Sequence, residues 1–309
     1  MKKTLGIILG LGALALLLVV GLSRSGKSQP GGGQKLTIGV YAPTVPFASS
    51  QARLQYAQSL ARAISQNTGA KVAAQSFTSM SQLRSKKPDF AIIDGQCFAA
   101  EPKGNLLANA KVGGSTSRSW ALFSSQGPRI QSLEHKKLAY VKTGCNDGGF
   151  LNNAMFESEV SSRFFSSKVG KPDVPAAVAE VVSRKGAEAV FAPVGLQKGL
   201  TKVFDAGSVP NPAFVQMNSR LSKSLTRKVA KAVRSFGGGG AIEGWSSPEM
   251  GSYRSLRGRM GRHVKRGLLA DPPPVRVDVK DVLIPPKTLD DTDLTPVGQH
   301  FKAPPDRLE

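Results

Sequence analysis

Beyond residue 34 the apolar positions fall into alternating strand and helix patterns. Lys35–Tyr41 (KLTIGVY) is β-rich and predicts a strand. Ala42–Pro46 reads as a turn, and Ser49-Ser50 offer hydroxyls that can cap a helix. In Gln51–Asn67 the residues Tyr56, Leu60, Ala63 and Ile64 recur at helical spacing, and Gly69 ends the helix. A strand over Lys71–Phe77, a short helix ending before Lys86-Lys87-Pro88, and an apolar strand over Asp89–Asp94 follow. This β-α-β-α-β order predicts a mostly parallel sheet with right-handed crossovers. Strand-like runs recur at Trp120–Ser124, Lys137–Lys142, Glu188–Val194, Thr201–Phe204 and Ala213–Met217. Helices are expected at Phe150–Phe165, Val174–Lys185, Arg220–Phe236 and Ser252–Lys265. From 271 to 309 the chain is a Pro-rich tail with an acidic turn at Asp290–Asp293, and no internal repeat is found.

The N-terminus has a different pattern. Lys2 and Lys3 precede an apolar run of 18 residues, Leu5–Leu22, followed by Arg24 and Lys27. Residues 1–28 therefore read as a secretory signal peptide, or as a signal anchor if they are retained, and 29–34 as a Gly/Pro linker. Either way the rest of the chain is expected outside the cytoplasm. Gly21–Ser28 also matches the phosphate-loop spacing G-x-x-x-x-G-K-S. The Gln29-Pro30-Gly31-Gly32-Gly33 that follows cannot start the helix this chemistry needs, so the match is set aside.

Composition narrows the function. Lys and Arg number 42 against 21 Asp and Glu, a net charge of +21, which favours anionic partners. Twelve of these bases and only two Glu lie between Arg220 and Arg266. In the helix within that region the bases flank an apolar stripe, as on a solvated face or a surface held near anionic membrane. Export and the few aromatics among these bases argue against nucleic acid. His135, His263 and His300 are far apart, and there is no C-x-x-C pair, so neither a metal site nor a cofactor is expected.

Candidate chemistry lies in the strand-to-helix loops, where open α/β sheets bind ligands. They read Tyr41-Ala42-Pro43-Thr44, Asp94-Gly95-Gln96-Cys97, Gly113–Ser117 and Lys142–Asp147: hydroxyls, amides and glycine, without paired carboxylates or histidine. Such loops give donors to an oxyanion but no general base, so binding without turnover is expected.

An exported chain with KLTIGVY opening one lobe, SKKPDFAIIDGQCFAA closing it, EHKKLAYVKTGCNDGGFLNN opening a second and SRKGAEAVFAPV later resembles the type 2 periplasmic solute-binding proteins of ABC transporters. Among them it is most similar to the phosphonate/phosphite-binding family. The resemblance implies an α/β periplasmic-binding-protein-like fold of two lobes joined by two crossing strands, placed near Trp120–Ser124 and Ala213–Met217. Lobe one is then 35–118 plus 214–309, and lobe two 119–213. It implies a ligand held between the lobes by Tyr41, Thr44, Ser49, Ser50, Asp94, Gln96, Thr143 and Asn146. The partner is an ABC permease, and the location is the periplasm, with residues 5–22 as a possible inner-membrane tether. The chain departs from the family's S-T-S-G anion loop at Thr143–Gly149, and Asp147 beside that pocket would repel a phosphonate.

Cys97 and Cys145 follow strand ends in opposite lobes. A bridge between them needs Cα atoms within roughly 7 Å and would lock a cleft that must open, so two free thiols are expected. Three function classes stand: a solute-binding protein for a small, phosphonate- or phosphate-like anion; a membrane-anchored sensor or partner-binding domain; and an exported α/β enzyme, disfavoured because no catalytic set is found.

Overall fold

β1 (Lys35–Tyr41) alternates buried Leu36, Ile38 and Val40 with residues of the opposite face, so one strand serves two apolar layers. The computed structural model describes residues 34–262, apart from 158, 159, 162 and 185. The expected signal segment, the phosphate-loop look-alike and the Pro-rich tail lie outside the described residues.

After β1 come α1 (Ser50–Thr68), β2 (Lys71–Ser76), α2 (Met80–Lys86), β3 (Phe90–Ile93), α3 (Gly95–Ala100) and β4 (Asn105–Lys111). The chain then crosses to a second sheet with β5 (Ser117–Ser124), β6 (Lys137–Val141), α4 (Asp147–Gly149), β7 (Ser167–Lys171), α5 (Val174–Val182), β8 (Ala189–Pro193) and β9 (Thr201–Pro210). It returns through β10 (Ala213–Gln216), α6 (Lys223–Ser235), β11 (Gly244–Ser246) and α7 (Gly251–Met260).

The first sheet has the order β11-β4-β10-β3-β1-β2, and the second β7-β6-β8-β5-β9. Each has a parallel core, β2-β1-β3 and β7-β6-β8, extended by antiparallel strands. Next to the crossings, β10 pairs β3 and β4 and β5 pairs β8 and β9, all antiparallel, and β11 adds to the outer edge of β4. Trp120–Ser124 lie wholly within β5 of the second sheet, so the outward crossing is upstream, at 112–116, and the return is at 211–212.

α1 fits its sequence signal. The Ser49 hydroxyl accepts from Ala52 N at 3.0 Å, and Gly69 takes a left-handed φ of 73° that closes the last turn. With α6 it covers Leu36, Ile38, Val40, Phe90 and Phe214. The other face of this sheet, with α2 and α3, joins an apolar cluster that continues into the second sheet through Trp120, Leu122 and Phe191.

The helix expected over Phe150–Phe165 is shorter. α4 runs into a π-helical turn, Phe150–Met155, and the helix stops there. Phe156 and Phe165, nine residues apart, would lie roughly 180° apart on a helix. Yet they face each other at 5.5 Å, and Phe156 packs on Phe191 at 4.7 Å, so the chain folds back. α5 likewise ends at Val182, and α6 starts at Lys223, capped by Ser222, three residues later than expected.

Candidate functional site

Asp94 is the buried node of the first lobe's half of the cleft. It ends β3, caps α3 by accepting from Gln96 N at 3.0 Å, and is fully buried. Its Oδ2 also accepts from the Thr44 hydroxyl at 2.6 Å and the Thr44 amide at 2.9 Å. Burial holds the Asp94 pKa above the usual carboxylate range, against the pull of these donors and of the nearby Arg118 cation. Asp94 and Thr44 thus organise the loop after β1; they do not point a free carboxylate at solvent. Gly95 lets α3 start there, because a Cβ on it would lie 1.8 Å from Pro210 O.

The second lobe contributes the loop Thr143–Asp147, whose donors converge on one carboxylate. Asp147 Oδ1 accepts from the Thr143 hydroxyl at 2.6 Å and the Thr143 amide at 3.2 Å, while Oδ2 accepts from Gly144 N at 3.0 Å. A fourth donor comes from the other lobe: Gln96 Nε2 lies 2.9 Å from Asp147 Oδ1 and 3.0 Å from Cys145 O. That fixes the Gln96 amide orientation and leaves its buried Oε1 without a hydrogen-bond partner. Tyr41, 3% exposed, donates from its hydroxyl to Thr143 O at 2.8 Å. Burial, with Asp94 and Asp147 nearby, raises its pKa well above the ordinary phenol range.

Five of the eight expected site residues therefore meet at one seam: Tyr41, Thr44, Asp94, Gln96 and Thr143. The other three do not join it. Ser49 caps α1, Ser50 is exposed at the start of that helix, and Asn146 is exposed. Asn146 adopts φ 53° and turns its side chain back to accept from Gly149 N at 3.1 Å.

The cysteines overturn the free-thiol expectation. Cys97 in α3 and Cys145 in the second-lobe loop form a disulfide, with Cα atoms 4.9 Å apart. The expectation assumed a cleft that opens, whereas here the two strand ends abut. Val174 N donates to Pro43 O at 3.2 Å across the same seam. α7 ties the lobes from outside. Its Tyr253 packs edge-on against Phe98 at 4.9 Å and donates to Asn211 O at 2.9 Å, while Arg259 reaches Ala154 O and Ala206 O at 3.3 Å.

Two cations at the seam were not anticipated. Arg53 is buried on the apolar stripe of α1, donates to the Ser76 hydroxyl at 2.8 Å, and is lowered in pKa by burial despite Asp173 across the seam. A charged residue on a helix's buried face was the signal for it. Arg118, at the start of β5, donates to Asn211 Oδ1 at 2.7 Å and Thr44 O at 3.0 Å, and its Nη1 is buried without a hydrogen-bond partner. Burial lowers its pKa to about 10, with Asp94 pulling the other way. Arg118 also lines a cavity of about 510 Å³ beside the outward crossing, with Pro46, Pro193, Leu196 and Glu243. Asp94, Gln96, Thr143 and Asp147 do not line it. No metal-binding group of three or more His, Cys, Asp or Glu occurs among the described residues.

No family model matches the chain, and no curated protein matches it. Solved structures do. The binding protein component of an ABC phosphonate transporter from Pseudomonas aeruginosa aligns with a TM-score of 0.57 at 13% identity, covering 74% of this chain and 88% of that one. PhnD1 from Prochlorococcus marinus, in complex with methylphosphonate, aligns with a TM-score of 0.57 at 13% identity, covering 74% and 97%. A Xanthomonas citri protein bound to ATP gives 0.54 at 10%, covering 74% and 97%. These likenesses carry the architecture, two mixed sheets flanked by helices and joined by crossings: the chain has the two-lobed α/β fold of type 2 periplasmic binding proteins.

Proposed function

We propose that the chain is an exported solute-binding protein of the ABC-transporter type, which captures a small solute through one oxyanionic group and delivers it to a membrane permease. The observation that carries this reading is the convergence of four donors, from both lobes, on a single carboxylate at the seam. Backbone amides, a hydroxyl and a side-chain amide can hold a phosphonate or phosphate oxygen as they hold Asp147. The methylphosphonate carried by one matched structure supports the ligand class. Among the described residues at the seam, the carboxylates of Asp94 and Asp147 are both engaged by hydrogen-bond donors, so the reading is of capture without turnover. In it, the first lobe is built on β1–β4 with β10 and β11, the second on β5–β9, and the location is periplasmic. Among the described residues no helix is long and apolar enough to cross a membrane. The basic face of α6 is read as a surface held against anionic lipid.

The test is calorimetric titration of the full chain with methylphosphonate, inorganic phosphate and sulfate, in oxidising and in reducing buffer. Binding of at least one anion in reducing buffer, with the anion recovered unchanged by mass spectrometry, is the expected result. Heat from none of them in either buffer would refute the oxyanion reading. A second reading, a partner-binding or sensor domain on the same fold, is favoured by one observation: a disulfide joins the two lobes.

A further inference from the structure

The oxyanion cradle at the seam is filled by the chain itself. All four donors are engaged by Asp147, two amides and a hydroxyl from its own loop and the Gln96 amide from the opposite lobe. A solute oxyanion seeking those donors would sit within hydrogen-bond distance of a carboxylate, where like charges repel strongly in a partly buried site. The adjoining residue pair is covalent. Cys145 belongs to the cradle loop, Cys97 lies one residue after Gln96, and their bond fixes the loop of one lobe to the helix of the other. Tyr41–Thr143 and Val174–Pro43 close the same seam, and an apolar cluster runs through it without interruption.

We propose that Asp147 is the built-in occupant of this cradle and that the Cys97–Cys145 bond holds the lobes closed over it, so that the oxidised chain takes up no external oxyanion. The proposal rests on the oxyanion reading of the cradle. It divides the protein into two forms. The disulfide form has the closed, occupied shape without a solute, and the dithiol form is free to open. Conversion needs a dithiol reductant. One thiolate attacks Cys145 Sγ, the sulfur–sulfur bond breaks, and Cys97 leaves as a thiolate that takes a proton. The reductant's second thiol then displaces Cys145, so the chain gains two electrons and two protons and the reductant becomes a disulfide. Cys97 is fully buried and Cys145 nearly so, which makes the closed form resistant to casual reduction.

Three forms of the full chain decide it: oxidised wild type, wild type in dithiothreitol, and Cys97→Ala/Cys145→Ala/Asp147→Ala. Alkylation of the denatured chains with iodoacetamide, without reductant, first verifies the redox state. Each is titrated with methylphosphonate and inorganic phosphate, and its radius of gyration is measured by X-ray scattering. The expected result is a compact oxidised wild type that binds neither anion. The triple variant should expand without anion, contract with it, and bind at least about 100-fold more tightly, as for a site competent in fewer than one molecule in a hundred. Oxidised wild type binding as tightly as the triple variant would overturn the proposal, as would a triple variant no larger than wild type. A triple variant that expands but binds neither anion upholds the lock and refutes the oxyanion reading instead. If the triple variant fails to fold, reduced against oxidised wild type gives the comparison of size, and reduced Asp147→Ala against oxidised wild type that of uptake.

Discussion

Replacing both cysteines by alanine removes a cross-link between residues 48 apart in sequence, and the structure lets the effect on stability be worked out. In the chain-entropy account, closing a loop of that length in the unfolded state is worth about 4 kcal/mol at 25 °C. In the closed state Tyr41, Gln96, Val174 and α7 make the same contacts with or without the bond, so the effect is counted on the unfolded side. For a domain of this size 1 kcal/mol corresponds to about 2–4 °C, so Cys97→Ala/Cys145→Ala should melt about 8–16 °C below oxidised wild type. Guanidinium unfolding followed by circular dichroism gives a second signature. An unfolded chain without the cross-link exposes more surface, so the denaturant slope should rise while the midpoint falls. Wild type measured in reducing buffer should match the variant in both. A loss below about 1 kcal/mol with an unchanged slope would mean that the unfolded wild-type chain carries no such cross-link, and the account of the sealed seam would fail with it.

Three further outcomes follow from the seam. Tyr41→Phe removes one buried bond between the lobes and leaves Thr143 O unpaired, so it should destabilise by about 1–3 kcal/mol in urea titrations; an unchanged midpoint would exclude that contact. Gly95→Ala should lower the melting temperature or abolish soluble expression, because its Cβ would meet a backbone oxygen, Pro210 O, at 1.8 Å; a variant that melts with wild type would show that α3 does not start there. Asp94 binds its proton more tightly folded than unfolded, so its contribution to stability falls as pH climbs above about 4, the ordinary carboxylate value. Asp94→Asn should flatten the decline in unfolding free energy through the weakly acidic range, and an identical slope in both proteins would contradict the buried-carboxylate assignment.

Much of this fold is legible in sequence because local and global signals agree. KLTIGVY is a strand by composition, and Ser49, the Tyr56/Leu60/Ile64 stripe and Gly69 mark α1 to within a residue. What escaped is set by neighbours. β7 (SKVGK) carries almost no apolar run and is a strand because β6 lies beside it; β4 and β11 are held by β10 and by each other. The site was half legible for a similar reason. Thr44, Asp94, Gln96 and Thr143 stood out as donors and acceptors at strand ends, and Asp147 stood out as a charge hostile to an anion. That Asp147 would use those donors itself, and that Cys97 would reach Cys145, depend on how far apart two lobes stand. No local pattern encodes that distance. The expectation of free thiols came from assuming motion, and the geometry removed the assumption.

The strand order of the first sheet bears on how the molecule assembles as the chain is made. β10 lies between β3 and β4, although more than a hundred residues separate it from both in the chain. The first lobe therefore cannot complete its hydrogen-bonded ladder until the chain has emerged through Gln216. The second lobe, by contrast, is one uninterrupted stretch from β5 to β9, and its loop-closure entropy is correspondingly smaller. The later-emerging half of the cysteine pair thus belongs to the sheet whose strands are contiguous in the chain, and the earlier half to the sheet that is completed last. Cys97 sits in α3, whose first residue Gly95 lies against Pro210 and Asn211, the residues that lead into β10. Oxidation that yields this pairing is accordingly a late event, and an oxidant acting on a half-emerged chain would meet two sulfurs not yet brought together.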